Sequence, residues 1–309
     1  MNELSGSAGP AFSAGQLAGE PATAEQNPLF SIIVPTHDRP DLLAAALASV
    51  REQTEHSWQC IVVDDASNAA AVSPDDSRFM VIRHSTPQGP AAARNAGLAA
   101  AIGQFVCFLD DDDVFVPTRL ASARPYLRPD CMLVHHGGEV GTAAVAKTTR
   151  WSNRPGRMFA RTTPHLGRIT IDRNIAPLFD SSLPASEDID WLIRLSDREF
   201  RIVPTVGWLW RRHHAARGNI GTEARLQGSR MLLDKHQLFF AKHRSARAFR
   251  HYRMGLMYLS LQQCADARSS FVTCLRCLPA PRIALRALQR LLTIGRCGQH
   301  PTAGPSTPE

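Results

Sequence analysis

Residues 105–115 read FVCFLDDDDVF, an apolar run that ends in four adjacent carboxylates, Asp110 to Asp113. Like charges repel, and a carboxylate drawn out of water needs a partner. Acids on one strand-end loop suit a hard divalent cation, Mg or Mn, which prefers oxygen ligands and balances the charge of a diphosphate. A second acidic group, PASEDIDWLIRL, places Glu187 and Asp188 at the opening of a helix. The positive helix end keeps an acid ionised there and able to accept a proton from a hydroxyl. Taken singly, these clusters read as a solvated loop and a helix-stabilising charge pair. Occurring together, beside further polar strand-end loops, they read as a site.

The elements that must position these acids are legible in the spacing of apolar residues. FSIIVPT (30–36) predicts a buried strand, and Leu42, Leu43, Leu47 and Val50 predict a helix over Asp41–Glu52. WQCIVVD is a second strand ending at Asp64 and Asp65, FMVIRHS (79–85) a third, and residues 105–109 a fourth. The Ala-rich stretch GPAAARNAGLAAAIG predicts a helix entered through Gly89-Pro90. Alternating strand and helix predicts an α/β layer fold with parallel strands, in which ligands bind beyond the carboxyl ends of the strands. The loops PTHDR, DDAS and DDDD are therefore expected to gather at one edge. Further on, CMLVHH predicts a short strand, ARTTPHLGRITIDRN an edge strand, Ser186 the N-cap of a helix, and FRIVPTVGWLW one or two strands.

The chain has 309 residues and a formal net charge of +7. Residues 225–309 carry 14 Lys or Arg against 3 Asp or Glu, which leaves the first 224 residues mildly acidic. A basic appendage of this kind is either a solvated helix face or a patch for an anionic partner. No aromatic-interleaved basic motif is present, so nucleic acid is not expected as a partner. No run of about 18 apolar residues occurs, and residues 1–28 have neither the basic nor the apolar region of a signal peptide. Seven scattered cysteines favour a reducing compartment, with Cys274 and Cys277 read as ordinary helical residues. Met254-Gly255, Tyr258, Ala267, Phe271 and Pro279 have the spacing of one tetratricopeptide unit.

The segments SIIVPTHDRPDLLAAALASVREQT, IVVDDAS, GPAAARNAGLAAAIGQFVCFLDDDDVFVPTRL and FDSSLPASEDIDWLIRL, in that order, resemble glycosyltransferase family 2. The resemblance implies a GT-A fold, a Rossmann-like mixed sheet flanked by helices, here followed by a small α-helical C-terminal region. It implies a hexosyltransferase-type enzyme that inverts the anomeric carbon and uses a divalent metal (Mn or Mg). The donor is then a nucleotide diphosphate sugar, most commonly a UDP-sugar, and the acceptor a glycan or lipid-linked hydroxyl of bacterial surface or extracellular polysaccharide synthesis. Carried over by position, Pro35, Thr36, His37, Asp38 and Arg39 line the nucleotide, Asp65 meets the base edge and Arg94 lies nearby. Asp110 or Asp111 approaches the ribose and phosphate, Asp112 ligates the metal, and Asp113 supports the loop. Asp188 is the implied base, with Glu187 orienting it. His213, in WRRHHAARGNIG, is a candidate at the metal or diphosphate whose spacing departs from the family's pattern, and His37-Asp38 replaces the more frequent aromatic-Asn pair.

The expected organisation is a disordered tail (1–28), the transferase domain (29–216) and a linker (217–224). A basic helical region (225–295) follows, with one tetratricopeptide-like repeat at about 248–281, and then a disordered tail (296–309). The expected location is cytoplasmic, with peripheral contact at the inner membrane face through the basic helices. Two rivals stand beside this reading. One is a non-catalytic interaction protein on the same scaffold. The other is a haloacid-dehalogenase-like phosphatase, with Asp110 as nucleophile and Asp112 as acid, which also needs a lysine from a chain that holds only Lys147, Lys235 and Lys242.

Overall fold

The structure is a computed structural model and describes residues 27–141, 159, 165–211, 221–277 and 279–297, with side chains described to 294. An eight-stranded mixed sheet forms the frame. Its strands are β1 (Phe30–Thr36), β2 (Trp58–Asp64), β3 (Phe79–Arg83), β4 (Phe105–Phe108), β5 (Asp113–Phe115), β6 (Met132–Glu139), β7 (Ile169–Asp172) and β8 (Phe200–Trp210). The order across the sheet is β3-β2-β1-β4-β7-β6-β8-β5. Strands β3, β2, β1 and β4 run parallel, β7 lies antiparallel between β4 and β6, and β5 pairs antiparallel with β8. The chain leaves β1 to build one half of the sheet and returns to place β4 on its other side. The junction of β1 and β4 is thus the topological switch point where such sheets bind ligands.

Helices cover both faces, which is why the central strands read as unbroken apolar runs. Ile32 and Val34 of β1 face helices α1 (Pro40–Arg51) and α3 (Arg119–Ala123) in one buried cluster. Ile33 faces the other way, with α2 (Pro90–Ala100) and α4 (Glu187–Arg194). Beyond β8 come α5 (Thr222–Lys235), α6 (Gln237–Lys242), α7 (Arg244–Ser260), α8 (Cys264–Arg276) and α9 (Pro281–Cys297). Leu232, Phe240 and Ala246 from α5, α6 and α7 lie in the same apolar cluster as Ile189, Trp191 and Leu192 of α4. The helical region therefore shares a core with the sheet. Its outer half builds a separate cluster in which Phe271 of α8 packs against Tyr252 of α7. Cys274 and Cys277 are buried free thiols of that cluster.

Two expectations about elements are corrected. The strand within ARTTPHLGRITIDRN is not an edge strand, because β7 is hydrogen-bonded on both sides, to β4 and to β6. Ser186 does not cap α4 with its side chain: it adopts a left-handed backbone (φ 71°) and makes no capping hydrogen bond. The Asp188 carboxylate instead accepts from the Ile189 N–H at 2.8 Å, a donor that also reaches the Ser186 carbonyl at 3.2 Å.

Candidate active site

The four adjacent acids separate into different surroundings. Asp111 turns back to the switch point, where Thr36 Oγ1 donates to it at 2.8 Å and Arg39 at 3.0 Å. Arg39 also reaches Asp112 at 3.3 Å. Asp110 pairs with Arg94 of α2 at 2.9 Å. Asp113 is buried as the first residue of β5, accepting from Trp208 Nε1 at 3.0 Å and from the Arg211 N–H at 3.3 Å. Burial pushes the Asp111 carboxyl up to about 6 against the pull of Arg39. Burial, with Asp110 and Asp112 alongside, pushes Asp113 up to about 8. One carboxylate oxygen each from Asp110, Asp112 and Asp113 lie within 4.8 Å of one another. A donor set of clustered carboxylate oxygens fits a hard divalent cation, whose charge would relieve what burial and repulsion impose. Asp112 lies in this cluster, and so does Asp113, expected only to support the loop, which also ties β5 to β8.

The other strand ends supply the facing wall. Asp65 follows β2 and accepts from the Gln88 and Gly89 N–H groups at 2.8 and 2.7 Å, with His84 Nδ1 at 2.7 Å. Gly89 (φ 87°) makes this grip possible, since a side chain at that backbone angle is strained. Asp65 thus anchors the entry to α2 and with it Arg94. His37 Nδ1 lies 2.8 Å from the Asp65 carbonyl, and Asp38 accepts from the backbone and side chain of Asn68 at 2.6 and 2.9 Å. A cleft of about 360 Å3 opens between residues 36–40 and 67–72. Among the described residues, five non-glycines have positive φ, and three of them border this edge: Asp38, Ala66 and Ser186. Strained backbone gathers where geometry is over-determined.

Arg94 joins the two acidic groups. Its Nη2 donates to Asp110 and its Nη1 donates to Glu187 at 2.8 Å, while the whole side chain is buried. Two clusters 77 positions apart in sequence are held one guanidinium apart. Asp188, beside Glu187, is pushed up to about 7 by burial and by the Glu187 charge, against the pull of Arg94, Arg250 and the Ile189 N–H. A carboxylate of that strength is matched to taking a proton near neutral pH. Beneath it, Trp191 stacks on Phe179 at 5.3 Å, and both meet the edge or face of Phe108 of β4. His213 lies outside the described residues. Arg250 has no sequence signal, because it arrives from a helix more than 60 positions downstream.

Residues 31–173 match the model of Glycosyl transferase family 2. This stretch therefore resembles a family 2 glycosyltransferase domain. WcaA of Escherichia coli K12, named as a colanic acid biosynthesis glycosyl transferase, is 28% identical over 190 residues, 55% of this chain and 67% of WcaA. The E. coli protein WfgD, a UDP-Glc:alpha-D-GlcNAc-diphosphoundecaprenol beta-1,3-glucosyltransferase, is 34% identical over 96 residues, 30% of this chain and 38% of WfgD. The match therefore spans well under half of that relative. The structure of S. aureus TarS 1–349 in complex with UDP-GlcNAc superposes with a TM-score of 0.60 at 17% identity, covering 88% of this chain and 92% of that TarS fragment. That likeness establishes the GT-A fold. The phosphatase reading of FLDDDDV gives way to the family match. Of the lysines it would need, Lys147 lies outside the described residues, and Lys235 is paired with Asp180 and Asp190.

Proposed function

We propose that the family 2 domain is a metal-dependent, inverting hexosyltransferase that moves a sugar from a nucleotide diphosphate sugar, most simply a UDP-sugar, to a glycan or lipid-linked hydroxyl. The observation that carries this is the Arg94 bridge, which sets the Asp110–Asp113 cluster and the Glu187–Asp188 pair on one crevice at the switch point. Thr36, Asp38 and Arg39 line a cleft that suits a nucleoside, and Pro35, His37 and Asp65 are the further residues assigned to the nucleotide. Asp188 takes the proton of the acceptor hydroxyl. The acceptor oxygen then bonds to the anomeric carbon on the face opposite the diphosphate, whose C–O bond breaks with its electron pair. A divalent cation held by Asp110, Asp112 and Asp113 would supply positive charge for the departing diphosphate. Glu187, paired to Arg94, keeps the first turn of α4 in register with the acid cluster.

The setting we propose is surface polysaccharide synthesis at a membrane face. No described helix is long and apolar enough to cross a membrane. Helix α9 nevertheless exposes Leu285, Leu288 and Leu292 (59%, 48% and 76% accessible) at helical spacing, with Arg282, Arg286 and Arg290 exposed and no acid along its length. An apolar stripe flanked by arginines suits an anionic lipid surface.

The deciding experiment is a melting screen of UDP, GDP and TDP with and without Mn, followed by turnover with the sugars of whichever base binds. A ligand that binds only the folded state raises the melting temperature. A Mn-dependent rise with one base, and diphosphate release from its sugar, is expected. No rise with any base would overturn the proposal and return the scaffold to an interaction role.

A further inference from the structure

We propose that Arg250, on α7 of the C-terminal helical region, is the positioning residue for Asp188, so that helices α5 to α7 are part of the transferase site. The inference rests on the role proposed for Asp188.

The helical region grips α4 at three levels. Gly228 of α5 lies so close to the residue before Ser186 that a Cβ there would stand 2.3 Å from the Ala185 carbonyl oxygen, a backbone atom that cannot step aside. One turn into α4, the fully buried Asp190 is held by His236 and Lys235, each at 2.8 Å, as well as by Arg194 of its own helix at 3.0 Å. Ala246 of α7 is fully buried in the cluster that holds Ile189 and Leu192. Arg250 follows Ala246 by four residues and so lies on the same helix face.

Arg250 is only 4% accessible, and its Nη2 is buried without a hydrogen-bond partner. A buried guanidinium donor left without a bond is costly, and burial lowers its affinity for the proton to about 10. The opposite charge acting on it is Asp188, while Arg253 acts on it as a like charge. Seen from Asp188, the groups that matter are Glu187 on its own helix, Arg94 on α2 and Arg250 on α7. Arg94 already uses Nη1 on Glu187 and Nη2 on Asp110. Among the described residues, Asp188 is therefore the carboxylate that Arg250 acts on, and no hydrogen bond ties Arg250 to another. If packing alone were required, an apolar chain of similar length would fill the place at no loss of stability.

The test uses the full chain with Arg250→Met and Arg250→Lys. Asp188 is titrated by carboxyl 13C NMR in aspartate-labelled protein and assigned by its absence in Asp188→Asn. In Arg250→Met the Asp188 titration should move up by about one pH unit, the size of effect a close opposite charge exerts, and Arg250→Lys should restore most of it. In turnover, Arg250→Met should lower kcat by about tenfold or more at unchanged donor KM, and shift the acidic limb of the rate profile to higher pH. If Arg250→Met folds poorly, Arg250→Gln removes the charge while keeping a polar side chain and carries the same titration readout. An unmoved Asp188 titration in a folded charge-removing variant overturns the proposal. Wild-type protein inactive with every donor would instead overturn the transferase reading, since the titration decides the Arg250 proposal without turnover.

Discussion

Asp188 combines a half-buried carboxyl, a like charge next door and two arginines within reach, and that mixture sets its chemistry. Replacing it with Asn removes the proposed base but neither the crevice nor the acid cluster. Turnover should fall by about 10²–10⁴-fold while nucleotide diphosphate affinity is retained, as isothermal titration would show; lost affinity with retained turnover would refute the role. The same substitution reports on stability. An acid whose folded pKa is raised destabilises the fold increasingly as pH climbs from its unfolded pKa, and fully above the folded value. With Asp188 pushed up to about 7, Asp188→Asn should gain melting temperature relative to wild type at pH 8.5 compared with pH 5. Asp112→Ala removes a clustered oxygen and should abolish the Mn-dependent part of diphosphate binding; an unchanged Mn response would move the ligand elsewhere.

At the scale of elements, the site depends on α2 and α4 meeting across β4. Arg94 makes that junction polar, and the Phe108–Phe179–Trp191 group makes it apolar. Arg94→Met leaves Glu187 buried without its guanidinium and should cost about 3 kcal/mol, visible in urea unfolding, together with most of the activity. One turn further along α4 is Asp190, whose carboxyl is held below the usual range by His236, Lys235 and Arg194 against the opposing effect of burial. A depressed acid contributes stability above its unfolded pKa and loses it as pH falls through the folded one. Asp190→Asn should therefore flatten the loss of stability below about pH 4, measured as melting temperature against pH; an unchanged acid slope would show that the tie between α4 and α5 is not electrostatic.

For the whole molecule, the helical region both packs on α4, the helix of the proposed base, and presents α9 outward. If α9 meets an anionic lipid face, the protein should sediment with phosphatidylglycerol vesicles at low salt and less so at high salt. Leu288→Ser with Leu292→Ser should weaken this without changing turnover on a water-soluble acceptor. Absence of sedimentation at low salt would remove the membrane from the account.

The order of strands and helices through β4, the gathering of PTHDR, DDAS and DDDD at one edge, and the two acidic groups were all legible in the sequence, because apolar spacing and turn chemistry are local properties. That β7 is interior was not legible, since its four residues carry no record of which strands flank them. Nor were the separate partners of the four like acids, because Thr36, Arg39, Arg94 and Trp208 arrive from different elements. The sequence alone determined which chemistry was available and on which loops. Only tertiary structure decided which charges face one another, because burial and pairing depend on three-dimensional proximity and not on position along the chain.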